Sequence, residues 1–335
     1  MILRNQITAP RYNPSPQTQF GILPMLISHK QMFPIILMLC FGLVNFASAV
    51  VPEVPGATQT KPIALVGGVI HTVSGKTIEQ GTLLFIDGKI FEIGGDVNLP
   101  VDVEVIDVKG KHVYPGLIDA NSNMGLVEIN AVRATVDERE TGSFNPNVKA
   151  QVAINPDSEI IPTTRSNGVL LCLTAPSGGV VSGQSAVIQL DGWTYEDLTI
   201  RSGAGLHINW PLMAAVSDWQ LNADEKKTVK ARDKNMQRLE EFFETARRYD
   251  AARRNDPSTK IDVKWESMRD VLAGKIPVIA SAEYANQIQA AVAFSVRQKV
   301  KLIISGGYDS IHCTDLLKHH DIPVILGGIY RLPRR

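Results

Sequence analysis

Three apolar runs near the C-terminus, Ile276–Ala280, Lys301–Ser305 and Ile322–Leu326, constrain the fold more than any other feature. Between them lie helical patterns, with Ile288, Ala291 and Val292 sharing one face and Cys313, Leu316 and Leu317 another. A strand–helix–strand–helix–strand series builds parallel units, because each crossover has to carry the chain back across the sheet. Gly168–Pro176 is a further continuous apolar run, the signature of a strand covered on both faces. Asp224–Asp250 reads as a helix, its stripe of Met236, Leu239, Phe243 and Ala246 recurring at spacings of three and four. Asn255-Asp256-Pro257 ends it, and a second short helix with Trp265, Met268 and Leu272 on one face stops at Gly274. The fold class expected is α/β, a TIM-type (β/α) barrel over 113–335 with its chemistry at the C-terminal ends of the strands.

Those ends carry polar residues. Val113–Asp119 reads as a strand leading into Asn121 and Asn123, which lie two apart and so point to one side of an extended backbone. Ser281-Ala282-Glu283 follows one later strand and Gly307-Tyr308-Asp309 another. Glu283 and Asp309 form the candidate catalytic pair, since two carboxylates at a barrel mouth can act as acid and base. Asn121, Asn123, Ser281 and His207 are the candidate substrate-binding residues, His207 standing on a candidate third strand, Leu206–Trp210.

Other features receive plainer readings. The stretch 125–162 is long for a connection and is either a functional lid or an insertion; its charge run Asp137–Glu140 reads as a solvated face. Ser177–Gly183 is glycine-rich but lacks a phosphate-loop pattern, and reads as a flexible loop at the mouth. His312, His319 and His320 fall on a helix or its end as surface or capping residues, and Cys172 reads as core.

Upstream, 63–112 forms a separate small β domain. Its strand candidates are Ile63–Ile70, Thr82–Ile86, Lys89–Ile93, Val103–Asp107 and His112–Tyr114, with Asp87-Gly88 as a two-residue hairpin turn. His71 and His112 in this region read as structural or exposed. Before it, a 50–62 linker follows an N-terminal extension, 1–49, that contains a secretory signal. His29-Lys30-Gln31 precedes the apolar run 32–46, and Ala47-Ser48-Ala49 supplies a cleavage site near Ala49. The run is shorter than the roughly 20 residues of a membrane span, although a retained helix is the alternative reading. Met25 and Met32 are alternative starts of translation. The chain is therefore expected to be exported, periplasmic or extracellular, with no stable membrane span after cleavage. Balanced charge, 34 basic against 34 acidic residues, gives no electrostatic case for nucleic acid. Three scattered cysteines exclude a disulfide framework or a zinc cluster built on thiolates.

Pro115-Gly116-Leu117-Ile118-Asp119 after the Lys109-Gly110-Lys111 turn resembles the metal-dependent amidohydrolase superfamily, in the branch containing imidazolonepropionase. The resemblance runs from about Ile63 to Pro333. It implies a β-sandwich before the barrel, a divalent metal such as zinc, and hydrolysis of carbon–nitrogen bonds in a small-molecule amide. In the family the motif continues into His-x-His, where this chain has Asn121-Ser122-Asn123. Ser281 stands where a Val-His-Ala-Glu-like segment carries a ligand histidine, and Ser305-Gly306-Gly307 where Glu-His-Gly is usual. Amides and hydroxyls replace imidazoles poorly around zinc, so no metal ligand is assigned and the metal site is expected to be degenerate. Activity as a hydrolase and a non-catalytic role, binding a small ligand or an envelope partner, both stay open, as does a homo-oligomer. The family's eighth strand, with its catalytic Asp, and its closing sandwich strands find no counterpart before Arg335, and the sequence reads as a fragment.

Overall fold

The computed structural model describes residues 54–213 and 225–328, with the backbone alone over 225–231. The expected signal segment lies outside them. Two sheets organise these residues, and they fall within one compact unit.

The first sheet holds β1 (Ile63–Ile70), β2 (Ile78–Ile86), β3 (Lys89–Gly94), β4 (Glu104–Asp107) and β5 (His112–Val113). Its order is β3-β2-β1-β4, with β5 also pairing β1. Asp87 and Gly88 both have positive φ, +50° and +69°, as a primed hairpin turn requires. Pairing is antiparallel from β3 through β1 but parallel from β1 to β4 and β5. Among the described residues the domain is one mixed sheet rather than a sandwich. Alternating apolar residues mark strands, but pairing partners are chosen by contacts remote in sequence.

The second sheet comprises β6 (Leu117–Ser122), β7 (Val169–Thr174), β8 (Val181–Gln189), β9 (Thr199–Asn209), β10 (Val278–Ala282), β11 (Leu302–Gly306) and β12 (Val324–Leu326), neighbours in that order. The helices are α1 (Ile160–Ser166), α2 (Tyr195–Leu198), α3 (Glu225–Asn255), α4 (Val263–Glu266), α5 (Arg269–Leu272), α6 (Ala285–Gln298) and α7 (Thr314–His319). β9 to β12 are mutually parallel, with α3 to α7 in the crossovers, as the alternation of apolar runs implies. The sheet curls far enough that side chains from β6 and β11 line one cavity.

One strand departs from a (β/α) repeat. β8 runs antiparallel to both β7 and β9. Only residues 175–180 separate β7 from β8, and 190–198 separate β8 from β9, too few for a parallel crossover of a dozen or more residues. The glycine-rich stretch is thus a reversing turn, and Gly183 belongs to β8. At Gly183 φ is +139°, and an added Cβ would fall 2.8 Å from the Val148 carbonyl oxygen, so the bulge there requires glycine.

The main core lies between β9, β10 and β11 and the faces of α3 and α6. Leu239, Phe243 and Ala246 from α3 are fully buried beside Ile288, Ala291 and Phe294 from α6. Phe243 meets Phe294 edge-to-face at 5.1 Å. A second core gathers Met124, Leu126, Ile154 and Ile161 against Cys172, Ile188 and Leu198. The long stretch after β6 is therefore a packed insertion. It bridges to β8 at Phe144–Val181 and Lys149–Gln184, and burial raises the Cys172 thiol to about 11.

Candidate functional site

A cavity of about 450 Å3 opens at the C-terminal ends of the parallel strands. β6 supplies Asp119, Asn121 and Ser122, and Asn123 follows directly; β9 supplies His207 and Asn209; β10 and β11 supply Ser281 and Ser305. β8 enters from the opposite direction, so its beginning, Ser182, reaches the same end. The insertion adds Glu138 and the β7–β8 turn adds Ser177.

All four expected binding residues, Asn121, Asn123, Ser281 and His207, share this lining. Glu283 and Asp309 do not belong to it. They meet one another beside it, the Asp309 amide donating to the Glu283 carbonyl at 2.9 Å. Asp309 Oδ2 accepts from the Ala285 amide at 3.1 Å, satisfying an orphan donor in the first turn of α6. The Glu283 carboxyl packs where a side chain at Gly306 would stand. Glu138, by contrast, belongs to the charge run that reads as a solvated face, yet its side chain is largely covered and lines the cavity.

Glu138 is held in place from several directions. Arg139 Nη2 donates to Oε1 at 2.9 Å, Asn123 Nδ2 approaches Oε2 at 3.5 Å, and the Ser177 amide donates to the Glu138 carbonyl at 2.6 Å. The Arg139 guanidinium holds the Glu138 carboxyl below its ordinary range, more strongly than partial burial raises it, with smaller help from Ser177 and Asn123. Opposite charges thus keep it ionised. Asn209 Nδ2 donates to the Gly179 carbonyl at 2.9 Å and to Ser182 Oγ at 3.1 Å, pinning the turn to the end of β9.

His207 is the unusual member. It sits in β9 opposite Gly183 on one side and Ile279 on the other. Its Nε2 is shut off from solvent and has no hydrogen-bond partner. Burial lowers its pKa to about 4, so the ring is neutral near pH 7. A neutral imidazole offers one donor and one acceptor. Leaving one of them buried and unpaired costs about 1–3 kcal/mol.

The donor set does not suit a catalytic metal. Among the described residues no group of three or more His, Cys, Asp or Glu side chains is placed to hold an ion. The cavity brings one imidazole and two carboxylates, Asp119 and Glu138, among amides and hydroxyls, and Glu138 is engaged by Arg139. Zinc in hydrolytic sites takes about three imidazole, carboxylate or thiolate ligands. What these residues can do is hydrogen-bond a polar molecule on several sides while presenting negative charge.

No protein-family model matches the chain, and no curated protein matches it in sequence. Among solved structures, it is similar to an amidohydrolase from Thermotoga maritima MSB8, with a TM-score of 0.71 and 23% identity. That likeness covers 82% of this chain and 72% of the other. The fold is therefore amidohydrolase-like. A prolidase complexed with N-methylphosphonate-L-proline overlaps 79% of this chain and 66% of its own at 17% identity, with a TM-score of 0.40.

Proposed function

We propose that the chain is an exported relative of carbon–nitrogen hydrolases whose barrel-mouth cavity binds a small, uncharged or cationic amide. The observation that carries this reading is the cavity lining, in which the amides of Asn121, Asn123 and Asn209 and several serine hydroxyls converge with Asp119 and Glu138 around the His207 ring. An amide ligand offers both N–H and carbonyl groups to such a lining, and Asp119 and Glu138 disfavour anions. Metal-assisted hydrolysis, which the family resemblance implies, is disfavoured because Glu138 is engaged by Arg139 and, among the described residues, no three ligand side chains are gathered around one point.

Calorimetric titration of the full chain with a cyclic dipeptide, an imidazolone and a linear N-acetyl amide tests the reading. Saturable binding of at least one of them is expected, weakened about tenfold by Asn123→Ala, as loss of one or two hydrogen bonds implies. Binding of none, or binding indifferent to that substitution, would overturn it.

A second reading has one observation on its side. Asp119, Glu138 and neutral His207 lie in one cavity of an amidohydrolase-like fold, a set able to move protons without a metal. Turnover of a bound amide, abolished by Glu138→Gln while binding persists, would favour a hydrolase of carbon–nitrogen bonds.

A further inference from the structure

Away from this cavity, the first sheet brings two histidines together. His71 follows β1 and His112 opens β5, strands paired in parallel at Val69–His112 and Ile70–Val113. The His71 amide donates to the Val113 carbonyl at 2.9 Å, so the backbones beneath both rings are fixed. His71 Nε2 lies 2.9 Å from His112 Nδ1, and the rings are inclined by 23°. Tyr114 stacks on His71 at 4.2 Å, within 2° of parallel. His112 and Tyr114 are exposed and His71 is half-buried, so ions reach the pair directly.

We propose that His71 and His112 form a surface site for a divalent transition metal, Cu2+ above all. Two metal–nitrogen bonds of about 2.0–2.1 Å at a right angle hold their nitrogens about 2.9 Å apart. That is the separation found here, and right-angle imidazole pairs suit the tetragonal geometry of Cu2+. Thr77 Oγ1 stands 3.4 Å from His71 Nδ1, a second polar contact that orients the His71 ring with its Nε2 toward His112. Without metal, the two facing nitrogens share one proton in a hydrogen bond. On binding, this proton moves through solvent to the other nitrogen of its own ring, both facing lone pairs turn toward the ion, and no net proton is released. Water completes the coordination.

The test is titration of the chelator-stripped full chain with Cu2+ alone, followed by visible absorption and electron paramagnetic resonance. One equivalent should bind first, with nitrogen splittings from two imidazoles. His71→Asn/His112→Asn should lose this signal, each single variant should weaken it about tenfold, and His319→Asn/His320→Asn should keep it. The single variants decide the matter if the double variant does not fold. No binding at micromolar Cu2+, a first equivalent unchanged in the His71 and His112 variants, or one lost with His319 and His320 would overturn the assignment.

Discussion

Replacing His207 by leucine removes an imidazole whose protonation folding opposes, and pH then exposes its contribution. Burial takes its pKa from the ordinary 6.5 down to about 4. The unfolded chain therefore binds a proton that the folded one refuses between those values, and stability rises with pH across the window. The contribution is complete above pH 6.5 and is lost as pH falls toward 4. At pH 4.5 the unfolded state is favoured through two pH units, at about 1.4 kcal/mol each, so the loss relative to pH 7 is about 2–3 kcal/mol. Leucine is close in size and has no such term. Urea unfolding of both proteins at pH 7 and pH 4.5 isolates it, because carboxylate titrations elsewhere are common to the two. The wild-type protein should lose about 2–3 kcal/mol more than His207→Leu on acidification. An equal loss in both would refute the argument that the ring is buried and neutral.

Asp309→Ala should cost about 1 kcal/mol of stability through the lost bond to the Ala285 amide, and leave amide binding intact. Weakened amide binding at unchanged stability in that variant would restore Asp309 to the site. Gln287 ties the β10–α6 junction together: Oε1 accepts from the Glu283 and Tyr284 amides at 3.1 and 3.2 Å, while Nε2 donates to the Trp210 and Pro211 carbonyls. Gln287→Leu strands these groups in a buried place and should cost about 2–4 kcal/mol in urea unfolding; a loss below about 1 kcal/mol would mean that they find other partners.

The parts of this fold that were readable in the sequence are those in which local chemistry decides. The Asp87-Gly88 turn needs two positive φ angles, and the parallel β9–β12 region needs helices between its strands. The antiparallel β8 escaped because a buried strand shows the same apolar run whichever way it points; only the short connections at 175–180 and 190–198 carried the information. At the site, the two-residue period placed Asn121 with Asn123, and the same rule applied to His207 would have added Asn209. Glu138 gave no such signal. Its place follows from how the insertion packs on β7 and β8, through contacts between residues far apart in the chain. Asp309 was legible as a residue at a strand's end, but its bond to the Ala285 amide depends on where α6 begins.

The central claim is that the cavity around His207 is a ligand site rather than a metal site. Elemental analysis of the full chain carrying His71→Asn and His112→Asn, purified without added metal, tests it most directly, since that background removes the proposed surface ion. The account predicts far less than one equivalent of zinc, iron or manganese per folded chain. One retained equivalent, lost on Glu138→Gln with His207→Gln, would contradict it and return the cavity to metal-assisted chemistry.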